Sequence, residues 1–200
     1  VVFMRILVIS DLHANITALE AVLADAGKVD ATWCLGDIVG YGPDPNDTVE
    51  LVRTIPNLTC VLGNHDVAVL GQMDDAVFNT EARRSLLWQK KQLSDGNKGY
   101  LENLPQDAIV SGDVTMAHGS PRDPVWEYIL NTLVARLNFQ SFSTTYCFVG
   151  HSHIQCMFQL DLTKDRVSLE IPKVGESLSL IPRAILNPGS VGQPRDRDPR

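Results

Sequence analysis

Four short apolar runs in this chain, RILVIS (5–10), ATWCLG (31–36), LTCVLG (58–63) and YCFVG (146–150), are rich in β-branched or aromatic residues and closed by Gly or Ser. They read as buried strands, and the polar residues at their carboxyl ends restrict the fold more than any other feature. ISDLH puts Asp11 and His13 after the first, LGD puts Asp37 after the second, and LGNHD puts Asn64, His65 and Asp66 after the third. VGHSH puts His151 and His153 after the fourth. Asn, His and Asp extend a core strand poorly, and Gly63 lets the chain turn before them. Helix-period segments at 14–26, with Asn15 as N-cap, and at 46–54 after Pro45 separate the first three runs. The first half is therefore βαβαβ, with a parallel sheet and right-handed crossovers. The carboxyl ends of parallel strands share one edge, so polar residues far apart in sequence meet there.

The second half has a different pattern. Helical periodicity covers 80–93 and 99–104, AIVSGDVTMAHG (108–119) reads as a hairpin about Ser111-Gly112-Asp113, and 130–140 is an amphipathic helix. Strands are expected at 154–161, 166–171 and 177–182. Together the halves predict an αββα sandwich of two mixed sheets flanked by helices, with one mixed sheet as the alternative. A length of 200 residues and 44% hydrophobic content suit one buried core, so 1–200 reads as a single domain. Cys34, Cys60, Cys147 and Cys156 lie inside apolar runs without a C-x-x-C pair and read as small core residues. Trp33, Trp88 and Trp126 read as packing residues.

A formal charge of −7 and a pI near 5.1 argue against a broad nucleic-acid or membrane-binding face. No stable nucleic-acid complex and no membrane association are expected, and a phosphate-bearing partner must be attracted locally. VVFMRILVIS is too short to span a bilayer and carries Arg5, so a cytoplasmic location is expected. RDRDPR (195–200) reads as a mobile tail.

All five histidines follow presumed strand ends once His118 of MAHGS is included. In Asp11-x-His13 and His151-x-His153 an extended backbone projects both side chains to one side. Taken singly, a D-x-H is usually a turn and His118 an ordinary hydrogen-bonded histidine, so it is the joint occurrence that points to a metal centre. A donor set of Asp, Asn and His without Cys suits Mn²⁺, Fe, Zn²⁺, Ni²⁺ or Mg²⁺. Six or seven ligands exceed one tetrahedral ion and fit two ions bridged by a carboxylate, ~3.5–4 Å apart.

SDLHAN, GDIVGYGP, GNHD, HGSP, GHSH and NPGSVGQPRD resemble, in order and over residues 5 to 195, the motifs of the calcineurin-like metallophosphoesterases. Within that superfamily they resemble the bacterial and archaeal branch of small phosphodiesterases. The resemblance implies an αββα fold, with Asp11, His13, Asp37 and His153 at a first ion and Asp37 bridging to a second. Asn64, His118 and His151 complete the second ion, His65 serves as general acid or transition-state stabiliser, and Asp66 orients its ring. Two divalent ions, Mn²⁺ foremost, leave the site a net charge of about +2, and they lower the pKa of water toward ~7 to supply the attacking hydroxide.

The implied function is a dinuclear phosphodiesterase for small or nucleotide-like phosphoesters, with a phosphomonoesterase or dinucleoside-polyphosphate hydrolase as the alternative. A non-catalytic scaffold would predict decay of the ligand set, which is intact here. The protein Ser/Thr phosphatases of the superfamily carry G-D-x-x-D-R-G and G-N-H-E, whereas here Asp37 precedes Ile38, Val39, Gly40 and Tyr41, and Asp66 replaces the glutamate. The missing arginine fork favours a diester, with Arg122 as a candidate substitute. Asn15 and Tyr41 are candidate substrate contacts, the former also a helix cap. Relatives continue past the equivalent of residue 200, so a final C-terminal segment is expected to be missing. Homo-oligomer formation is left open.

Overall fold

The computed structural model describes residues 4–195, and the segment 196–200, most of the expected tail, lies outside them. β1 (Ile6–Ile9), β2 (Ala31–Cys34) and β3 (Leu58–Cys60) form a sheet in that order. All pairings are parallel, with Ile9 opposite Cys34 and Cys34 opposite Cys60. The crossovers are α1 (Ile16–Ala26) and α2 (Pro45–Thr54). Asn15 caps α1 by accepting from the Ala18 N–H at 3.1 Å, and Pro45 opens α2, where its missing N–H costs nothing.

After β3 the chain enters α3 (Asn64–Val69), a helix of six buried residues where the sequence suggests only a strand-end turn. Asp66 starts it by accepting from the Gly63 N–H at 3.0 Å, the side-chain half of a capping box. α4 (Thr80–Gln92) and α5 (Asp95–Glu102) come next, capped by Asn79 and Ser94. The Ser94 cap moves α5 upstream of the expected 99–104.

The second sheet has the order β4-β5-β6-β9-β7-β8. Its strands are β4 (Ile109–Ser111), β5 (Val114–Met116), β6 (Tyr146–Phe148), β7 (Cys156–Asp161), β8 (Arg166–Glu170) and β9 (Ala184–Asn187), with α6 (Thr132–Asn138) between β5 and β6. β5, β6 and β9 run parallel, and the remaining pairs are antiparallel. The sheets thus differ: the first is wholly parallel and the second is mixed. Helices α1 to α5 pack on the first sheet around Leu19, Val49, Val67, Leu86 and Leu101, and α6 packs on the second through Ala135. Trp33 and Phe148 meet edge to face at 5.7 Å between the sheets. This is the αββα sandwich, and all four cysteines are buried in it without a disulfide.

The strand expected at 177–182 does not form. That segment is mostly exposed, and the central strand is β9, a few residues downstream. The alternation of SLSLIP imitates a half-buried strand, whereas AILN is covered on both faces and so shows no alternation. Trp88, expected to be a packing residue, is 44% exposed. Ile185 is fully buried and Ile181 is 58% exposed. Ile185→Ala should therefore cost about 2–5 kcal/mol in urea denaturation, and Ile181→Ala about 0.5 kcal/mol or less. Equal losses would contradict the assignment of β9 as the central strand.

Candidate metal centre

The ligand-type side chains leave their strands through left-handed backbone. Asp11 (φ 55°), His13 (49°), Asp37 (53°), His151 (65°) and His153 (60°) all have positive φ. Such conformations cost a non-glycine residue roughly 1–3 kcal/mol. The extended geometry expected from the Asp11-x-His13 and His151-x-His153 spacing is therefore replaced by tight loops. They lock together through His13 N–H to Asp37 O (2.9 Å), Ala14 N–H to Ile38 O (2.9 Å) and Asp11 N–H to Gly36 O (3.0 Å).

Two groups of buried ligand atoms result, Asp11, His13, Asp37 and His153, and Asp37, His118 and His151, with the atoms of each group within 4.8 Å of one another. Asp37 belongs to both. Asn64 Oδ1 joins the second, 3.0 Å from His118 Nε2. One oxygen of each carboxylate is anchored: Asp37 Oδ1 accepts from the His65 N–H at 2.8 Å, and Asp11 Oδ2 from the His151 N–H at 3.1 Å. The other oxygens, Asp37 Oδ2 and Asp11 Oδ1, are buried without a hydrogen-bond partner.

Ring orientation shows what the cluster lacks. His13 Nδ1 donates to Val39 O (3.1 Å), His118 Nδ1 to Leu35 O (2.8 Å), His151 Nε2 to Trp126 O (3.1 Å) and His153 Nδ1 to Gln193 O (2.6 Å). A carbonyl can only accept, so a ring that carries a single proton holds it outward and its lone pair inward. The inward nitrogens then approach one another, His13 to His153 at 3.0 Å and His118 to His151 at 3.2 Å. Facing lone pairs beside unpartnered carboxylate oxygens repel, and a cation between them removes the repulsion. The all-oxygen-and-nitrogen donor set and outward second hydrogen bonds fit divalent metal ions.

Burial lowers the pKa of His13 to about 3 and of His151 to about 2, and it lowers that of His118 as well, so these rings are neutral at pH 7. Asp11 Oδ1 lies 3.2 Å from His153 Nε2, the shortest approach of a carboxylate oxygen to an inward ring nitrogen. Burial, then the neighbouring Asp11 and Asp66, raise Asp37 well above that range. A dication beside Asp37 would reverse the shift.

His65 occupies the first turn of α3, its ring 4.9 Å from His13, 4.8 Å from Tyr41 and 4.9 Å from Phe78. Its pKa is lowered by burial and then by His13 and His118, and its Nδ1 has no partner. Gly40 (φ 93°) makes room for it, since a Cβ there would collide with the ring. Asp66 does not orient that ring. Its carboxylate accepts from the Val39 and Gly63 N–H groups, both at 3.0 Å, and so ties the Asp37 loop to the start of α3. Burial raises its pKa to about 6.

Of the expected substrate contacts, Tyr41 lies at the centre, its ring 4.9 Å from His13. Both polar ends of Asn15 have structural partners: its Oδ1 caps α1, and its Nδ2 donates to Gly192 O at 3.3 Å. The guanidinium of Arg122 pairs with Glu127 at 3.6 Å. Arg195 is attached to the centre instead, its N–H donating to His153 O at 3.4 Å and its charge acting on Tyr128. Tyr128 stacks on His151 at 3.6 Å, and Phe78 meets Trp126 at 5.3 Å. Neither Phe78 nor Tyr128 belongs to a strand-end pattern, so spacing alone does not reveal them. Gln193 and Arg195 lie in the NPGSVGQPRD motif, and the motif is the signal that could have placed them near the centre.

Fold and centre together define a metallophosphoesterase. The profile of the calcineurin-like phosphoesterase superfamily domain matches residues 4–200, and the chain belongs to that superfamily of phosphoric ester hydrolases. It is similar to a metallophosphoesterase from Sphaerobacter thermophilus, with 52% identity and a TM-score of 0.87 over 98% of this chain and 80% of that one. An uncharacterised protein of Methanocaldococcus jannaschii is 39% identical over 96% of this chain and 77% of its own length. A symmetrical bis(5′-nucleosyl)-tetraphosphatase of Pectobacterium atrosepticum is 27% identical over 42% of this chain and 36% of its own length.

The shared carboxylate and the neutral rings each have a measurable consequence. Asp37→Ala should bring bound metal below two ions per chain by elemental analysis, and retention of two would remove Asp37 from the bridge. For chelator-treated protein, four depressed imidazoles (His13, His65, His118, His151) oppose two raised carboxylates (Asp37, Asp66). Below about pH 6.5 the unfolded chain protonates all four rings while the folded chain protonates at most the two carboxylates, so the unfolded state binds more protons. Thermal stability should therefore fall from pH 6.5 to pH 5, and a rise over that window would contradict neutral buried rings.

Proposed function

We propose that the chain is a dinuclear metal-dependent phosphodiesterase acting on small or nucleotide-like phosphoesters. The observation that carries this reading is the membership of Asp37 in both ligand groups, the arrangement that two-ion phosphoester hydrolysis requires. In this reading Asp11, His13, Asp37 and His153 hold one ion, and Asp37, Asn64, His118 and His151 hold the other. Bound ions, with Mn²⁺ expected foremost, supply Lewis acidity toward the phosphoryl oxygens and an ionised water at neutral pH. His65 donates a hydrogen bond to the oxygen that departs, and Tyr41 and Phe78 shield that position from bulk water.

Diester preference is supported by the surroundings of Asp37. Ile38, Val39 and Gly40 are buried after it, and Tyr41 stands where the protein Ser/Thr phosphatases carry their arginine, which leaves Arg195 as the guanidinium attached to the centre. A monoester dianion needs more positive charge than a diester. The similarity to a bis(5′-nucleosyl)-tetraphosphatase favours a dinucleoside-polyphosphate hydrolase as the second reading. A cytoplasmic setting accords with four buried cysteines that form no disulfide.

The test is hydrolysis of bis-p-nitrophenyl phosphate beside p-nitrophenyl phosphate, with Mn²⁺ added to chelator-stripped protein. The diester should be cleaved faster, and His65→Ala should retain metal while turnover drops ~10²–10⁴-fold. Preference for the monoester would overturn the diesterase reading, and unchanged turnover would remove His65 from the reaction.

A further inference from the structure

We propose that the groove between the Gly40–Pro43 loop and the N-terminal half of α4 binds the leaving-group arm of the substrate, an arm bearing a planar base and negative charge, as a nucleoside phosphate does. The proposal rests on the phosphoesterase reading above and specifies its substrate.

The groove has a volume of about 510 Å³ and is lined by Tyr41, Glu81, Arg84, Ser85 and Trp88, among others. That size suits a nucleoside. Tyr41 is a wall of both the groove and the metal centre, and its ring contacts the rings of His13 and His65. A second hollow of about 380 Å³ flanks the same helix and begins at Phe78, the other ring against His65. Arg84 lines both hollows. An ester oxygen departing beside His65 therefore carries its substituent past Tyr41 or Phe78 and toward Arg84.

The wall is held in place by α4. Gln89, fully buried, accepts from the Gly40 N–H and donates to Gly42 O, both at 2.6 Å, bracketing Tyr41. Asn79, the N-cap of α4, donates to the Tyr41 hydroxyl at 3.4 Å. Tyr41 is thus held at its hydroxyl and at the peptides on either side, with φ at 54°.

The face of α4 toward the groove carries recognition chemistry. Trp88 is 44% exposed beside the buried Ala82, Leu86 and Gln89, so part of its indole is open to the groove. Arg84 lies one turn before it on the same face. Arg83 is paired with Asp75 at 2.6 Å, whereas among the described residues Arg84 forms no ion pair. An indole face takes a base, a guanidinium takes a phosphate, and Glu81 and Ser85 offer an acceptor and a hydroxyl to the base edge or ribose. On a chain of net charge −7, an unpaired arginine beside the mouth is a local attraction for an anion.

Two measurements test this. Calorimetric titration of chelator-treated protein with adenosine 5′-monophosphate should show saturable binding, weakened roughly tenfold by Trp88→Ala and by Arg84→Ala, as expected for loss of one stack or one phosphate contact. In Mn²⁺-loaded protein the ratio of kcat/KM for diadenosine tetraphosphate to that for bis-p-nitrophenyl phosphate should fall roughly tenfold in each variant, mainly through KM for the nucleotide. Both side chains are exposed, and an unchanged thermal midpoint would confirm an intact fold. No binding of the monophosphate, or binding and ratio indifferent to both substitutions, would overturn the subsite. Binding through Trp88 and Arg84 without Mn²⁺-dependent turnover of either ester would support the subsite and refute the phosphodiesterase reading.

Discussion

Each imidazole in the two ligand groups donates its outward N–H to a carbonyl in a segment other than its own. His13, after β1, reaches Val39 after β2, and His118, after β5, crosses between the sheets to Leu35. His151 and His153, after β6, reach Trp126 and Gln193. These bonds fix the tautomers, and the tautomers place four lone pairs around one buried space. Without them each ring could turn its N–H inward toward a carboxylate, and the centre would become an ordinary polar core. The segments holding the carbonyls are in turn positioned by the strands, so the fold is needed to make the rings face one another.

Such a centre is expensive to fold. Five residues in left-handed backbone and the buried Asp37 carboxylate, its pKa raised, all oppose folding. The compensation is local. The NPGSVG segment after β9 runs across the β1 loop: Val191 and Gly192 donate to Ser10 O (3.0 Å) and Asp11 O (2.9 Å), and Ser190 Oγ also donates to Asp11 O at 2.8 Å. Asp66 holds the β2 loop from α3 by accepting from the Val39 N–H at 3.0 Å. Each strained loop therefore carries backbone hydrogen bonds from a neighbour, which over-determine a conformation that it would not keep alone.

The parallel first half, the hairpin at 108–119 and the grouping of ligand residues at strand ends were legible, because short apolar runs closed by glycine leave few alternatives. Four features were not. α3 is six residues long and buried on every side, so it has no polar face to produce a helical period. β9 sits centrally and lacks alternation, while the exposed segment before it shows alternation without pairing. The resemblance implied that Asp66 orients the His65 ring, but in the first turn of a helix consecutive side chains diverge and a carboxylate at the third position turns back toward the cap. The left-handed residues were also hidden, because Asp and His carry no sign of positive φ comparable to glycine's.

α4 shows how a single helix serves the centre from outside the ligand set. Its buried face contributes a glutamine where a core helix would place an apolar residue, and that amide is satisfied only because Gly40 and Gly42 present an N–H and a carbonyl to it. A leucine at position 89 would pack well and leave both peptide groups without partners, so the polar choice is explained by the Tyr41 loop and not by the core. The exposed face of the same helix is free to vary without disturbing that clamp, since Arg84 and Trp88 have no part in it. Reaction chemistry and substrate choice are thereby separated: the strand-end loops fix the ligand atoms, while one helix surface, registered to them through Gln89, meets whatever arm of the substrate extends past Tyr41.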